Sequence, residues 1–317
     1  MLPQNSNNKI SLILDSGAFS AWTKKISINL NNYADFCLQH LPYIDYIVNL
    51  DVIPGEFGQK ALPLKEIEKS ASEGWANYEY MIKRGIPKEK LIHIFHQGED
   101  FKWLEKIVKA MPYIGLSPAN DRSTSEKIRW LDNCMKYVCD EKGYPKVKWH
   151  GFAVTSFRLM SRYPWFSVDS TSWVMTSRMG GVYVPRYRSG KWIYDEDSWK
   201  ISVSARSPNI SQAGKHINTF SRLQKQHILD YFSEKGYALG KSEFKSVSKN
   251  YKLKSNEKWN GAAIGNKREI EVIVSPGLCN DYKLRDELNI IYYLDLEKRM
   301  PKWPWAFKKQ GIKAFNL

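Results

Sequence analysis

Short apolar runs of strand character alternate with amphipathic helical stretches in the first half of the chain, and this alternation restricts the fold more than any other feature. The β-rich runs lie at Ile10–Leu14, Tyr46–Leu50, Leu91–Phe95, Tyr113–Leu116, Val147–Val154 and Trp165–Val168, each bounded by Gly, Pro or polar residues. Helical patterns fill the gaps at Leu30–His40, Pro63–Arg84, Asp100–Ala110, Ser123–Cys139 and Phe157–Tyr163. Strand and helix in turn predict parallel βαβ units. Polar residues close the strands: Asp15 after SLIL, Asp51 after YIVNL, Gln97 after LIHIFH, Ser117 after YIGL and Asp169 after FSV. A barrel gathers all such strand ends at one mouth, whereas an open sheet concentrates its ligands at one switch point. The expectation is therefore an α/β fold of the TIM-like (β/α)8 barrel type. Its remaining two strands are expected from Gly181–Val184 and Trp192–Ala205.

From about Ser207 the character changes. A helical pattern at Ile217–Glu234 is followed by the Ser/Lys-rich KSEFKSVSKNYKLKSNEKWNG, a β-like EIEVIV and a helical YKLRDELNIIYYLDLEKR. The expected division is 1–235 for a catalytic barrel and 236–317 for a basic, aromatic-rich region that completes the barrel or binds nucleic acid. Charge favours a polyanionic partner. The net is +15, with 20 basic and 18 acidic residues in 1–150 against 28 and 15 in 151–317. Lys-rich faces that only keep a protein soluble are the plain alternative, but they do not account for the aromatics interleaved in WNGAAIGNKREIE and MPKWPWAFKK. The four cysteines, Cys37, Cys134, Cys139 and Cys279, form no C-x-x-C pair, so neither a disulfide framework nor a metal site is expected. No apolar run approaches the roughly 20 residues of a membrane-spanning helix, and MLPQNSNNKI lacks the pattern of a secretion signal. A cytoplasmic protein without a membrane partner is expected.

Two Asp-Ser dipeptides, Asp15 in LDSGAFS and Asp169 in VDSTSW, each close an apolar strand. One such dipeptide is commonly a turn or a helix cap. Two at one barrel mouth instead suit glycosyl chemistry, in which one carboxylate meets an oxocarbenium-like sugar carbon and the other moves a proton. His96 and His150 are read as satisfied strand-end histidines and stay outside this pair, as does Asp45, read as a surface residue.

These residues also carry a resemblance. LDSGAFSAW resembles the TDSGGFQ motif of the tRNA-guanine transglycosylase family, and VDSTSWVMTSR resembles the FDSASYVLYAR of its archaeal branch. In the same order, YIDYIVNLDVIP resembles the family's strand with a base-touching aspartate, HIFHQGED its VQGG loop, and HGFAVTS its GGLAVGE strand. The resemblance implies exchange of a guanine in nucleic acid for a 7-deazaguanine. By that analogy Asp169 is the nucleophile that bonds to C1′ of the sugar, and Asp15 is the general acid–base residue. Asp51 and Gln97 would hydrogen-bond the base edge, Gly151, Phe152 and Ala153 would bring backbone against it, Ser16 would join the base site, and Phe19 would stack. Gln97 and Gly98 are also consistent with a simple chain turn. Arg178 resembles an arginine that contacts substrate phosphate, with a surface salt bridge as the competing reading.

The departures bear on the substrate. The zinc-binding C-x-C-x-x-C…H of the tRNA-acting members is missing, Ala18 replaces a glycine and Ser20 a glutamine. A zinc-less, basic chain most resembles the phage-type branch that places 7-deazaguanines in DNA. The expected partners are then DNA and a free base such as preQ0, with no cofactor, in a host cytoplasm if the chain is phage-encoded. Arg186, Arg188, Lys191, Lys267, Arg268 and Trp303 are the expected nucleic-acid contacts, chosen for their clustering. The alternatives are a zinc-less tRNA-guanine transglycosylase, a non-catalytic nucleic-acid-binding barrel and, last, a glycoside hydrolase using the same carboxylates.

Overall fold

The computed structural model describes residues 10–55, 59, 62–264 and 267–304, without the side chains of 262–264 and 267. The chain divides into two compact units: one runs up to Thr155 and adds Arg162–Asp169 and the chain from Lys302, and the other comprises Ser156–Ser161 and Ser170–Pro301. The division expected at residue 235 falls inside the second unit.

In the first unit, six short strands form one all-parallel sheet in sequential order: β1 (Ile13–Leu14), β2 (Tyr46–Val48), β3 (Leu91–His96), β4 (Tyr113–Ser117), β5 (Lys148–Gly151) and β6 (Ser167–Val168). The helices between them are α1 (Ala18–Thr23), α2 (Leu30–His40), α3 (Leu64–Lys83), α4 (Phe101–Ala110) and α5 (Thr124–Val138). Local chemistry sets their starts. Ser123 and Glu126 form a reciprocal capping box on α5, Asp100 caps α4 through the Lys102 N–H, and Pro63 precedes α3. Register assigns the sheet two faces, since paired residues point the same way. One face carries Ile47, Leu91, Phe95, Ile114, Leu116 and Trp149, all fully buried. The other carries Tyr113, Lys148, His150 and Ser167, with Gly115 beside His150. A Cβ on Gly115 would stand 2.6 Å from the Phe152 ring, so glycine makes room for that ring on the polar face.

This sheet is curled into a half-barrel and does not close with eight strands. The two segments expected to finish a barrel pair with each other instead. The second unit opens with α6 (Phe157–Met160) and α7 (Ser172–Arg178), and then β7 (Gly181–Val184) runs antiparallel to β10 (Trp199–Ser202). Between them lies only the hairpin of β8 (Arg186–Arg188) and β9 (Lys191–Ile193). A parallel return needs a crossover of a dozen or more residues, usually a helix, whereas antiparallel strands accept a short connection. That connection holds no helix, so β10 comes back antiparallel. The unit continues with α8 (Arg222–Glu234), β11 (Lys241–Ser248), β12 (Glu257–Ile264), β13 (Lys267–Ser275) and α9 (Tyr282–Glu297). Strands β11, β13 and β12 make an antiparallel sheet in that order, and Val182, Val184, Ile201, Ile228, Phe232 and Leu288 form the core. The buried Arg285 guanidinium donates to the carbonyls of Ser177 and Leu278, binding α7 to α9.

Candidate active site

Asp15 follows β1 and Asp169 follows β6, the two edges of the sheet. Five strand spacings of about 4.8 Å would hold these edges about 24 Å apart in a flat sheet. The curl shortens that distance enough for the Asp169 charge to act on Asp15.

The environments of the two carboxylates oppose one another. At Asp15, surrounding protein that strips solvation is the largest influence, and the negative charges of Asp51 and Asp169 add to it. Together they hold the carboxyl above its ordinary value, against the pull of the Ser16 and Gly17 N–H groups. At Asp169 the same crowding pushes upward, but interactions with His150 and the Ala153 N–H outweigh it and leave the carboxyl below the usual range. Asp169 Oδ1 accepts from Ala153 N at 3.0 Å and lies 3.4 Å from His150 Nε2. Ala153 adopts φ 56°, a left-handed conformation unusual for a residue with a Cβ, and this turn aims its N–H at the carboxylate. The backbone holds Asp169 as well: its N–H donates to Gly151 O, and its carbonyl accepts from Val154 N.

Asp51 is buried, and both of its oxygens are engaged. Oδ1 accepts from Ser16 Oγ at 3.3 Å and Oδ2 from His96 Nε2 at 3.0 Å. The other ring nitrogen of His96 meets Glu99 Oε1 at 2.9 Å. Burial opposes the charged imidazole most strongly, yet the two carboxylates prevail and carry His96 up to about 10. His96 is therefore an imidazolium at neutral pH, clamped between two buried acids. Its neighbour on the other face, His93, is driven by burial down to about 3 and stays neutral against Asn49.

The remaining expected base-site residues divide by what they already bind. Ser16 is buried, its hydroxyl shared between the Ala18 N–H and Asp51, so it serves as the turn into α1. Gln97 Oε1 accepts from Ala119 N at 3.1 Å, which commits its carbonyl and leaves the amide NH2 as the group for a ligand. Phe19 is 51% exposed beside Trp22. Phe152 is half-buried, edge-on to His150 with centroids 4.4 Å apart. Gly151 has a packing reason of its own: a Cβ there would meet the Trp165 ring at 2.9 Å. Asp45 accepts from Leu12 N at the edge of the sheet.

The expected nucleic-acid contacts are scattered. Arg186, Arg188, Lys191 and Ile193 share one face of the β8–β9 hairpin, whose turn at Ser189 and Gly190 has positive φ at both positions. The opposite face packs Tyr187 on His227 and Trp192 on Tyr231. Arg188 pairs with Glu196 at 2.9 Å, and Arg186 lies over Trp199. Arg178 is exposed on α7 and lies over Tyr282, while Arg268 lies over Trp259. Trp303 is engaged inside the first unit, donating to Pro164 O and packing edge-on to Phe166. The side chain of Lys267 lies outside the described residues.

Sequence reasoning set His150 aside, yet it faces Asp169. Strand alternation carried the signal: His150 and Ser167 pair in register, and Asp169 follows Ser167 by two residues. Among the described residues no group of three or more His, Cys, Asp or Glu could hold a metal, and the four buried cysteines offer no counterpart to a zinc site. Among them, too, no helix is long and apolar enough to cross a membrane. No family model and no curated protein matches the chain.

Proposed function

We propose that the protein exchanges guanine in DNA for a 7-deazaguanine base through a covalent bond between Asp169 and the sugar. The observation that carries this reading is the split between two carboxylates at opposite sheet edges, Asp15 held toward its protonated form and Asp169 held ionised. In the first step Asp169 Oδ2 attacks C1′. The C1′–N9 bond breaks, its electron pair passes to guanine, and guanine takes the proton of Asp15. In the second step the incoming base returns its N9 proton to Asp15, N9 attacks C1′, and Asp169 departs as carboxylate.

The surroundings suit a flat heterocycle. The Gln97 amide offers donors, Phe152 and Phe19 offer ring faces, and the Asp51 carboxylate is held in place near Asp15 by Ser16 and His96. DNA is favoured by the surplus of basic residues after position 150 and by the hairpin that presents Arg186, Arg188 and Lys191 together. A guanine in a duplex has to leave the stack to reach such carboxylates, at a cost of a few kcal/mol that phosphate contacts offset.

The test is incubation of guanine-containing DNA with preQ0, followed by nucleoside mass spectrometry, with Asp169→Ala as control. A deazaguanosine that forms with the native chain and is lost in the variant is the expected result. Product from tRNA alone would transfer the reading to a tRNA substrate. No product from either, despite binding, would leave a non-catalytic nucleic-acid-binding protein.

A further inference from the structure

A continuous file of hydrogen-bonding groups crosses the polar face of the sheet and ends at Asp169. Tyr113 begins β4, and its hydroxyl contacts Ser167 Oγ at the start of β6. Ser167 Oγ lies 2.6 Å from His150 Nδ1 in β5, and His150 Nε2 lies 3.4 Å from Asp169 Oδ1. Register places all of these side chains on one face, and both Tyr113 and His150 are buried.

One arrangement satisfies every group and leaves a donor for the carboxylate: Tyr113 O–H donates to Ser167, Ser167 O–H donates to His150 Nδ1, and the Nε2–H points at Asp169. The Ala153 N–H lands on the same oxygen at 3.0 Å. Oδ1 thus receives two N–H groups, and Oδ2 is the oxygen presented for attack. Contacts of this kind are often long before substrate arrives and tighten during reaction. The titratable groups facing this carboxylate are His150, from β5, and Asp15, which follows β1 and is itself raised by the Asp169 charge.

We propose that His150, with its tautomer fixed by Ser167 and Tyr113, is the positioning residue for the Asp169 nucleophile. This rests on the base-exchange reading above. While Asp169 Oδ2 forms its bond to C1′ and the C1′–N9 pair leaves with the base, Oδ1 becomes the carbonyl oxygen of a glycosyl ester. The His150 Nε2–H holds that oxygen throughout and transfers no proton.

His150→Phe keeps an aromatic ring against Phe152 and removes the donor, whereas His150→Gln loses the ring and keeps an N–H near the Nε2 position. A packing role predicts that Phe is the milder change; a donor role predicts that Gln is. The experiment follows the Asp169 carboxyl by carbon-detected NMR titration in the wild type, both variants and the gentler Tyr113→Phe, alongside single-turnover exchange of guanine in DNA across pH. In His150→Phe the Asp169 titration is expected to move upward, the acid limb of the rate profile to move with it, and kcat to fall roughly ten- to hundredfold, the usual worth of one hydrogen bond to a charged group. His150→Gln should retain most of the wild-type behaviour, and Tyr113→Phe should give a smaller shift of the same sign. An Asp169 titration unchanged in His150→Phe, or a Gln variant worse than Phe, overturns the proposal. A wild type that exchanges no base refutes the reading beneath it, and the NMR titration still decides the coupling of His150 to Asp169.

Discussion

Replacing His96 by Gln removes a buried cation from between two buried acids, and the consequence can be worked out before the experiment. The folded-state pKa of about 10 stands above the ordinary value of 6.5, so the native state holds a proton that the unfolded chain has released throughout that window. A group raised in this way stabilises fully below about 6.5, and its contribution is lost as pH climbs through about 10. Within the window the loss is roughly 1.4 kcal/mol for each pH unit, which sums to about 4–5 kcal/mol. That figure agrees with the roughly 3–5 kcal/mol usually lost when one partner of a buried ion pair is deleted. Urea unfolding of wild type and His96→Gln, repeated at intervals from pH 6 to 9.5 and followed by tryptophan fluorescence, reads both effects. The variant should be several kcal/mol weaker at pH 6, and the gap should close steadily toward alkaline pH. Two stability curves that run parallel across this range would refute a protonated His96, whatever their separation.

Two further outcomes follow from packing and charge. Gly151→Ala brings a Cβ to 2.9 Å from Trp165 and 3.1 Å from Val154, and because Trp165 is itself packed against Trp149 the ring has little freedom to retreat; a lower urea midpoint worth about 1–3 kcal/mol is expected, and an unchanged midpoint would contradict the contact. Joint Arg188→Gln and Lys191→Gln substitution on the hairpin should weaken DNA binding and flatten the dependence of log K on log salt by about 1–2, with stability lowered by no more than about 1 kcal/mol for the lost Arg188–Glu196 pair; an unaltered slope would exclude the hairpin from phosphate contact.

The elements that were legible in the sequence are those decided by neighbours a few residues away. Helix α2 matches its expected span, and Ser123, Asp100 and Pro63 mark helix starts because caps act through the first turn alone. The strands are found with shifted ends: Leu91–Phe95 and Tyr113–Leu116 each run one residue further, to His96 and Ser117, whereas Val147–Val154 shortens to Lys148–Gly151, since the chain turns away at Ala153. Closure of a barrel was not legible. Gly181–Val184 has the composition of a seventh barrel strand, and it is the content of the connection to β10, a hairpin with no crossover helix, that goes with antiparallel pairing. His150 was overlooked for a related reason, because a histidine read along one strand shows nothing of what register places beside it.

The site depends on the curl of the sheet more than on closure. Asp15 and Asp169 belong to the first and last strands of an open, sequential sheet, the pair that a flat sheet would separate most. A Debye length of about 8 Å at physiological salt would leave edges about 24 Å apart without mutual influence. The curl restores that influence, and the polar face supplies the asymmetry: Asp51, anchored by the His96 cation, raises Asp15, while the His150 ring and the Ala153 N–H lower Asp169. Asp15 is raised first by loss of solvation, then by Asp51 beside it and Asp169 across the curl, whereas His150 and Ala153 outweigh the same crowding at Asp169. Under the proposed exchange, an acid and a nucleophile need two edges brought together with different electrostatic surroundings, and a curled sheet of six strands can supply that without closing.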